Sequence, residues 1–326
     1  MKKALVYASK GLGDGLIFLV ISKNLSDNGY KVDTYHPFLS EMNRWFDYTK
    51  VMAYPNISHK IDDFSLELKK TQLENFFKGY DLIIINSDYE DLNKEMIQYT
   101  KDNLSDITYE LHPSACKGKN PPIGHLKFDF TKPVVENLTY FCKEILKLKH
   151  ISSTNSLTPL KNLKYRKFLK RIAIHPLSKD LEKNWSKKKF LKLCLKLKNN
   201  GYEPNLILTN SERPFFEDAN VEKPIFNNIE EIASFIYESG YMIGNDSGIA
   251  HLASSLKIPT LTIFSTKRKE RFWKPSFYMG KTVVSWPLIN ISHMRLREKY
   301  WKKTISVRRV VNNFIKLVKE YESGDI

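Results

Sequence analysis

The segment YMIGNDSGIAHLASSLKIPTLTIF, residues 241–264, decides the fold of its half of the chain. An apolar strand near Tyr241–Gly244 ends in a polar turn, a helix near Gly248–Leu256 follows, and a second apolar strand occupies Pro259–Phe264. Strands that alternate with helices in this way predict a parallel sheet that is covered by helices on both faces.

The alternation continues on both sides of this segment. The second half adds strands near Arg171–His175 and Asn205–Thr209, helices near Ser186–Asn199 and Ile229–Glu238, and a final amphipathic helix over about Val307–Tyr321. The first half has strands near Ala4–Tyr7, Lys31–Tyr35, Val51–Ala53 and Asp81–Asn86, a turn at Gly11–Gly15, and helices near Leu16–Asn28, Leu39–Phe46, Ser65–Phe77, Leu92–Lys101 and Pro133–Lys149.

Two domains fit the length of 326 residues. A linker rich in Ser, Thr and Asn at Ile151–Leu163 predicts domains at 1–155 and 165–326, and we expect the last helix to pack back on the first domain. The predicted fold class is α/β, with two Rossmann-like, doubly wound domains that face each other across a cleft. Such domains bind ligands at the carboxyl ends of their strands, so the cleft is the expected site.

The composition, 42% hydrophobic and 27% charged, is that of a globular protein. No apolar run approaches the roughly 20 residues that span a bilayer, and the stretch Ala4–Ala8 is too short for a secretory signal. The chain contains three cysteines, Cys116, Cys142 and Cys194. Their number is odd and no two of them have the spacing of metal ligands, so we expect no zinc site and no disulfide framework. These features favour a cytoplasmic protein, with peripheral contact at the inner face of the membrane as a further expectation.

The net charge of +16 is unevenly distributed. Residues 1–163 contain 21 basic and 20 acidic side chains, whereas residues 164–326 contain 31 and 16. The second half therefore either meets a polyanion or presents a solvated basic face.

A glycine-rich turn, Gly11-Leu12-Gly13-Asp14-Gly15, follows the first predicted strand. Gly11, Gly13 and Gly15 allow the backbone to approach a ligand closely, and Asp14 either points into the cleft or caps the helix locally. The nicotinamide fingerprint G-x-G-x-x-G is not complete, because Leu16 stands at its third glycine.

A second polar turn, Asp246-Ser247-Gly248, opens the helix that contains His251. Backbone N–H groups at a helix N-terminus suit a pyrophosphate, and Ser247 and His251 are four residues apart on one helical face. The alternative is a capped helix with a packed histidine.

Two further strand ends contribute polar groups. His175-Pro176-Leu177-Ser178 precedes Lys183, an ammonium that can neutralise a diphosphate, and Trp185, which we expect to anchor the next helix in the core. Glu212 follows the strand that ends at Thr209 and either binds sugar hydroxyls or caps a helix.

Three features in this order resemble the lipopolysaccharide heptosyltransferase family, glycosyltransferase family 9, whose members have the GT-B fold of two Rossmann-like domains. They are the G-x-G-D turn, the H-P-x-S…K-x-W segment, and D-S-G-x-x-H-L-A followed by an apolar strand that begins with proline. The resemblance covers about Arg171–Phe264 well and about thirty residues of the first domain. It departs from the family at Ser265-Thr266-Lys267, where a Gly-Pro-Thr loop is common, and at Lys10, where small polar residues are usual.

The resemblance implies inverting transfer of a sugar from a nucleotide diphosphate donor, usually ADP-heptose, without a metal or another cofactor. The implied general base is Asp14, and the implied donor-binding residues are Ser178, Lys183, Glu212, Asp246, Ser247, Gly248 and His251.

The expected acceptor is a hydroxyl of an anionic glycan such as the lipopolysaccharide inner core. The candidate residues for binding such a polyanion are Lys267, Arg268, Lys269, Arg271, Arg295 and Arg297. Aromatic residues interleave with these basic runs at Phe272-Trp273 and Tyr300-Trp301, which favours nucleic acid as an alternative acceptor. A module that binds a nucleotide sugar or nucleic acid without catalysis is the second alternative.

Overall fold

The computed structural model describes residues 1–57, 63–86, 91–113, 124–178, 180–286 and 296–324. The chain divides into two compact units. The first comprises Met1–Phe130 and Val134–Thr158, and the second comprises Thr131–Pro133 and Pro159–Ile326.

The first unit contains a parallel sheet of five strands in the order β3-β2-β1-β4-β5. Its elements are β1 (Lys3–Tyr7), α1 (Leu12–Asp27), β2 (Lys31–Tyr35), β3 (Lys50–Met52), α2 (Asp63–Phe77), β4 (Leu82–Asn86), α3 (Asp91–Asn103), β5 (Thr108–Leu111) and α4 (Val134–Tyr140). Every residue of β4 is buried, as expected for a strand inside a parallel sheet that helices cover. α1 is buried from Gly15 to Ile21, because β2 and α4 both pack against it.

The second unit has the sheet order β10-β9-β8-β6-β7, again entirely parallel. Its elements are β6 (Phe168–His175), α5 (Lys187–Asn199), β7 (Glu203–Leu206), α6 (Ile229–Tyr237), β8 (Ser239–Asn245), α7 (Gly248–Ser255), β9 (Thr260–Phe264), α8 (Lys267–Trp273), β10 (Gly280–Val284), α9 (Leu296–Thr304) and α10 (Val307–Ser323). The strand order reverses direction between β6 and β8, and such a switch point is where doubly wound sheets bind ligands.

One face of the second sheet is covered by α5 and α10. Alternate residues of the strands, among them Ile172 and Ile243, form one core cluster with Phe190 of α5 and Phe314 of α10. Trp185 is 1% exposed in this cluster, which confirms its predicted role as an anchor. The apolar side of the last helix is thus buried in the second unit, and its packing on the first domain stays a prediction.

Two parallel sheets with interspersed helices confirm the predicted fold class. The expectation of a turn at Gly11–Gly15 was wrong, since α1 begins at Leu12 and includes this segment up to Gly15. β5 and β10 were not predicted, because each is a short edge strand beside an irregular stretch. Within the described residues, none of the helices is long and apolar enough to span a membrane.

Candidate active site

The carboxyl ends of β6 and β8 bring the predicted donor residues of the second unit together. These two strands are neighbours, and His175 at the end of β6 lies in register with Gly244 of β8. The turn after β8 contains Asp246 and Ser247, and the loop after β7 contains Glu212. Polar side chains from three strand ends therefore meet at one edge of the sheet.

Lys183 and Asp246 form an ion pair, with Nζ 3.1 Å from Oδ2. Lys183 ends a short 3₁₀ turn, Leu181–Lys183, and the carboxylate of Asp246 is buried. Asp246 therefore holds the ammonium at this edge of the sheet, where it can meet an anion.

His251 is buried beneath this pair on α7. Burial lowers the pKa of His251 to about 4, while Asp246 acts to raise it and Lys183 to lower it. The imidazole is thus neutral at pH 7. Among the described residues, its Nδ1 has no hydrogen-bond partner, which is a costly state for a buried polar atom.

Ser247 occupies the N-cap position of α7 but does not cap the helix with its side chain. Its Oγ instead lies 3.0 Å from Nδ1 of His175. The first N–H groups of α7, beginning at Gly248, are therefore not bound by the Ser247 hydroxyl and suit an anionic ligand. The Ser247 hydroxyl therefore does not cap α7, whereas the buried His251 matches the packed histidine of the alternative interpretation.

His175 also connects to Glu212, with Nε2 3.7 Å from Oε1. Burial would raise the pKa of Glu212, but hydrogen bonds and charge from His175 and Thr209 outweigh it and hold the pKa below its ordinary value. The backbone N of Thr209 donates to Oε2 of Glu212 at 2.8 Å. Glu212 is therefore an ionised acceptor in a fixed position, and His175 is a residue that the sequence analysis quoted without assigning a role.

Ser178 has a structural role in the turn after β6. Its Oγ bonds to the carbonyl of Asp180 at 2.8 Å and to Oδ1 of Asn184 at 2.9 Å. The buried Asn245 donates to the carbonyl of Pro176 at 2.6 Å and accepts from the backbone N of Trp185 at 3.0 Å. Asn245 was missed by sequence reasoning, although an asparagine at the end of a buried strand is a signal for this kind of turn.

In the first unit, Asp14 lies in the first turn of α1, with Gly13 before it and Gly11 as the N-cap. Asp14 is thus not the N-cap, and its negative charge is favourable at a helix N-terminus. A Cβ atom on Gly11 would overlap Oδ2 of Asp14, and one on Gly15 would overlap the imidazole of His36. These two glycines therefore make room for side chains of this chain.

His36 was not predicted, yet it supports the glycine-rich segment. It is buried, its Nδ1 accepts from the backbone N of Leu39 at 3.1 Å, and its Nε2 lies 3.1 Å from the carbonyl of Gly11. Burial lowers the pKa of His36 to about 4, although the hydrogen bond to Gly11 acts to raise it. A neutral imidazole that accepts at Nδ1 must donate from Nε2, so Gly11 is the acceptor.

The basic candidates after β9 lie on α8. Thr266 caps this helix by accepting from the backbone N of Lys269, and Lys267 pairs with Glu270 at 2.7 Å. Lys267, Arg268 and Arg271 are exposed, and Lys269 is partly exposed. Arg295 lies outside the described residues, and Arg297 lies on α9 without a described side chain.

Two of the four proposed stacking aromatic residues do not fit that role. Phe272 is 2% exposed and Trp301 is 1% exposed, and Trp301 belongs to the core cluster under α10. Only Trp273 and Tyr300 of the four are partly exposed. The prediction of base stacking was therefore wrong for Phe272 and Trp301, because a helix that covers a core also places aromatic residues between basic ones.

The amino-acid sequence was also compared with known proteins. Residues 126–286 match the family model for glycosyltransferase family 9 (heptosyltransferase). The resemblance to glycosyltransferase family 9 is confirmed. The match also supports the predicted enzyme class, a glycosyltransferase, and it contains every donor-binding candidate of the second unit, whereas Asp14 lies before it. No curated protein matches the sequence.

Solved structures of family 9 glycosyltransferases share the fold. A family 9 glycosyl transferase from Veillonella parvula DSM 2008 is 14% identical, with 98% of each chain covered and a TM-score of 0.71. The ADP-heptose lps heptosyltransferase II of E. coli is 13% identical, over 99% of this chain and 100% of that one, with a TM-score of 0.67. The E. coli heptosyltransferase WaaC, solved with ADP-2-deoxy-2-fluoro heptose, is 14% identical over 96% and 99%, with a TM-score of 0.67. The two sheets therefore have the GT-B fold.

Proposed function

We propose that the protein is an inverting glycosyltransferase that moves a sugar from a nucleotide diphosphate donor to a hydroxyl of an anionic glycan acceptor. The observation that carries the proposal is the anion site at the carboxyl edge of the second sheet, where Lys183, His251 and the N-terminus of α7 meet. An ADP-sugar is the favoured donor, since the E. coli WaaC structures contain ADP and an ADP-heptose analogue.

The second unit binds the donor in this proposal. The N–H groups of α7 and the ammonium of Lys183 stabilise the negative charge that develops on the departing diphosphate. The neutral His251 offers Nδ1 to a polar ligand atom, and the ionised Glu212 accepts from sugar or ribose hydroxyls. These groups together supply the electrostatic stabilisation that diphosphate departure needs.

Asp14 acts as the general base of the reaction. Its carboxylate takes the proton from an acceptor hydroxyl as the oxygen attacks the anomeric carbon from the face opposite the diphosphate. A single displacement of this kind inverts the configuration at that carbon. The reaction needs no metal in this scheme, so EDTA leaves the rate unchanged.

The lipopolysaccharide inner core is the favoured acceptor class, in line with the activity that the E. coli enzyme's name states. Nucleic acid remains the alternative acceptor, supported by the basic charge and by two of the four aromatic residues, Trp273 and Tyr300, which are partly exposed. A cytoplasmic location also stays a prediction.

A nucleotide-sugar screen tests the proposal. ADP-, UDP- and GDP-sugars are compared for thermal stabilisation, and the stabilising donor is then incubated with lipopolysaccharide core or duplex DNA for mass spectrometry of the products. We expect an ADP-sugar to stabilise the protein and to glycosylate the core with an inverted anomeric configuration. Stabilisation without any product, in the wild type as in the variant Asp14→Asn, would favour the binding module.

A further inference from the structure

The outward side of α5 carries a dense positive charge, and the exposed residues of α10 add three basic and two acidic side chains. α5 contains six lysines in thirteen residues and no acidic residue. Lys188, Lys192 and Lys196 are exposed and four residues apart, so they form one row along the helix. Lys316 and Lys319 are likewise exposed on α10, as is Arg308 two turns before them.

The two rows belong to one surface of the second unit. α5 and α10 pack against each other, and both bury their apolar sides in the same core cluster. Their exposed sides must therefore point away from the same face of the sheet. The six residues that define this α5–α10 basic face are Lys188, Lys192, Lys196, Arg308, Lys316 and Lys319.

The basic residues that stabilise the fold or belong to the proposed donor site are not part of this face. On α5, Lys187 pairs with Asp218 at 2.5 Å, and Lys189 donates to the carbonyl of Ile305 at 2.8 Å. The donor candidates lie at the carboxyl edge of the sheet, whereas the basic face lies over the side of it. The charge of this face is thus not explained by the proposed donor site.

The basic face also carries an exposed apolar side chain. Leu195 of α5 is 60% exposed next to Lys196, and no aromatic side chain is exposed on α5. A row of lysines with an exposed leucine fits a surface that offers negative charge and an apolar layer together, as anionic lipids do. Base stacking on a nucleic acid needs exposed aromatic residues, and α5 has none, although Arg309 of α10 lies over the exposed ring of Trp286.

We infer that the α5–α10 basic face docks the protein on an anionic lipid surface, with Leu195 entering the headgroup region. The inference is independent of the proposed function, because vesicle binding requires neither donor nor turnover. The lysines supply salt-sensitive attraction, and the leucine supplies a contribution that salt does not screen.

The test is sedimentation with vesicles at several salt concentrations. Vesicles of phosphatidylcholine alone are compared with vesicles of equal parts phosphatidylglycerol and phosphatidylcholine. The variant Lys188→Gln/Lys192→Gln/Lys196→Gln should bind anionic vesicles about tenfold or more weakly than the wild type. The matched control, Lys31→Gln/Lys50→Gln/Lys78→Gln, removes three exposed charges from the first unit and should change binding by less than about twofold.

Leu195→Ser adds a second readout. It should weaken binding to anionic vesicles while leaving the salt dependence of binding unchanged, because it removes no charge. Thermal unfolding of each variant checks that the fold is retained.

Three results would overturn the inference. The first is equal binding of the wild type to the two vesicle types. The second is an equal loss of binding in both triple variants, which would indicate net charge alone. A short duplex DNA could also bind more tightly than the vesicles and depend on the same three lysines, in which case the face is a nucleic-acid surface.

Discussion

At the scale of single residues, the glycine-rich segment is shaped by two side chains. Gly11 leaves room for the carboxylate of Asp14, and Gly15 leaves room for His36. His36 in turn bonds to the carbonyl of Gly11, so one buried imidazole contacts both ends of the segment that carries the proposed base. The position of Asp14 thus depends on His36, a residue of the loop after β2.

Asp14→Asn should lower kcat by about 10²- to 10⁴-fold, because an amide cannot accept the proton of the acceptor hydroxyl. Donor affinity should change little, since the donor candidates lie in the second unit. The measurements are steady-state kinetics and calorimetric titration with ADP. Asp27→Asn, at the other end of α1, is the control and should leave both quantities unchanged. A near-normal kcat for Asp14→Asn would remove the assignment of the base.

His36→Ala should lower kcat while sparing donor affinity, because it releases the carbonyl of Gly11 and the N–H of Leu39. Two buried groups without partners should also destabilise the protein by about 1–3 kcal/mol. His36→Gln retains a donor and should restore part of kcat. Ser22→Ala is the matched control, since Ser22 bonds to Thr34 and joins the same helix and strand without touching the glycines. If the loss of kcat is proportional to the loss of unfolding free energy in His36→Ala, His36→Gln and Ser22→Ala, His36 has only a structural role.

At the scale of elements, α7 combines a helix N-terminus with a histidine on its buried side. The hydroxyl of its N-cap serine, Ser247, bonds to His175 at the end of β6. This contact fixes the position of the helix N-terminus and leaves its first N–H groups unbound by the serine side chain. The ion pair of Lys183 with Asp246 connects the turn before α5 to the turn before α7. Three elements therefore have to be folded before the proposed anion site is formed.

Lys183→Gln should weaken ADP binding about tenfold or more, because a charge-assisted contact to the diphosphate is lost and Asp246 is left without its partner. Lys187→Gln is the control, since Lys187 lies four residues later and pairs with the exposed Asp218. Calorimetric titration with ADP and with adenosine separates the phosphate contribution from that of the base. Equal ADP affinities in the two variants would exclude Lys183 from the site.

At the scale of the whole molecule, two of the buried histidines, His36 and His251, link stability to pH. The pKa of His36 and that of His251 fall from the ordinary 6.5 to about 4 on burial. Between these values the unfolded chain binds protons that the folded chain does not, so stability must fall as the pH decreases. Each histidine should contribute about 1.4 kcal/mol per pH unit in this window.

Urea unfolding between pH 7 and pH 4 measures this dependence. His251→Gln should reduce the slope of unfolding free energy against pH by about one proton, and His36→Gln should do the same. The exposed His150 provides the control, and His150→Gln should leave the slope unchanged. A slope that neither buried variant alters would show that folding does not lower the pKa of these two histidines.

The sequence alone was sufficient for the fold class and the family resemblance, and it located the donor candidates at the strand ends, where their role stays a prediction. Apolar runs such as Leu82–Asn86 can only be inner strands, and the order of strand, polar turn and helix at Asp246–Gly248 is a local pattern. Candidate functional residues at strand ends can therefore be predicted from the residues that are next to them in the sequence. Aromatic residues among lysines were misread, because periodicity alone does not distinguish the buried side of a helix from a binding surface.

Only the tertiary structure decided which side chains meet across long separations in the chain. His175 bonds to Ser247 over 72 residues, and His36 bonds to Gly11 over 25 residues. Neither histidine has a local signal, since parallel strands are brought together by crossovers that can join any two positions in the sequence. Burial, which lowers the pKa of His36 and His251, is likewise a property of the packed sheet and its helices rather than of the residues beside them.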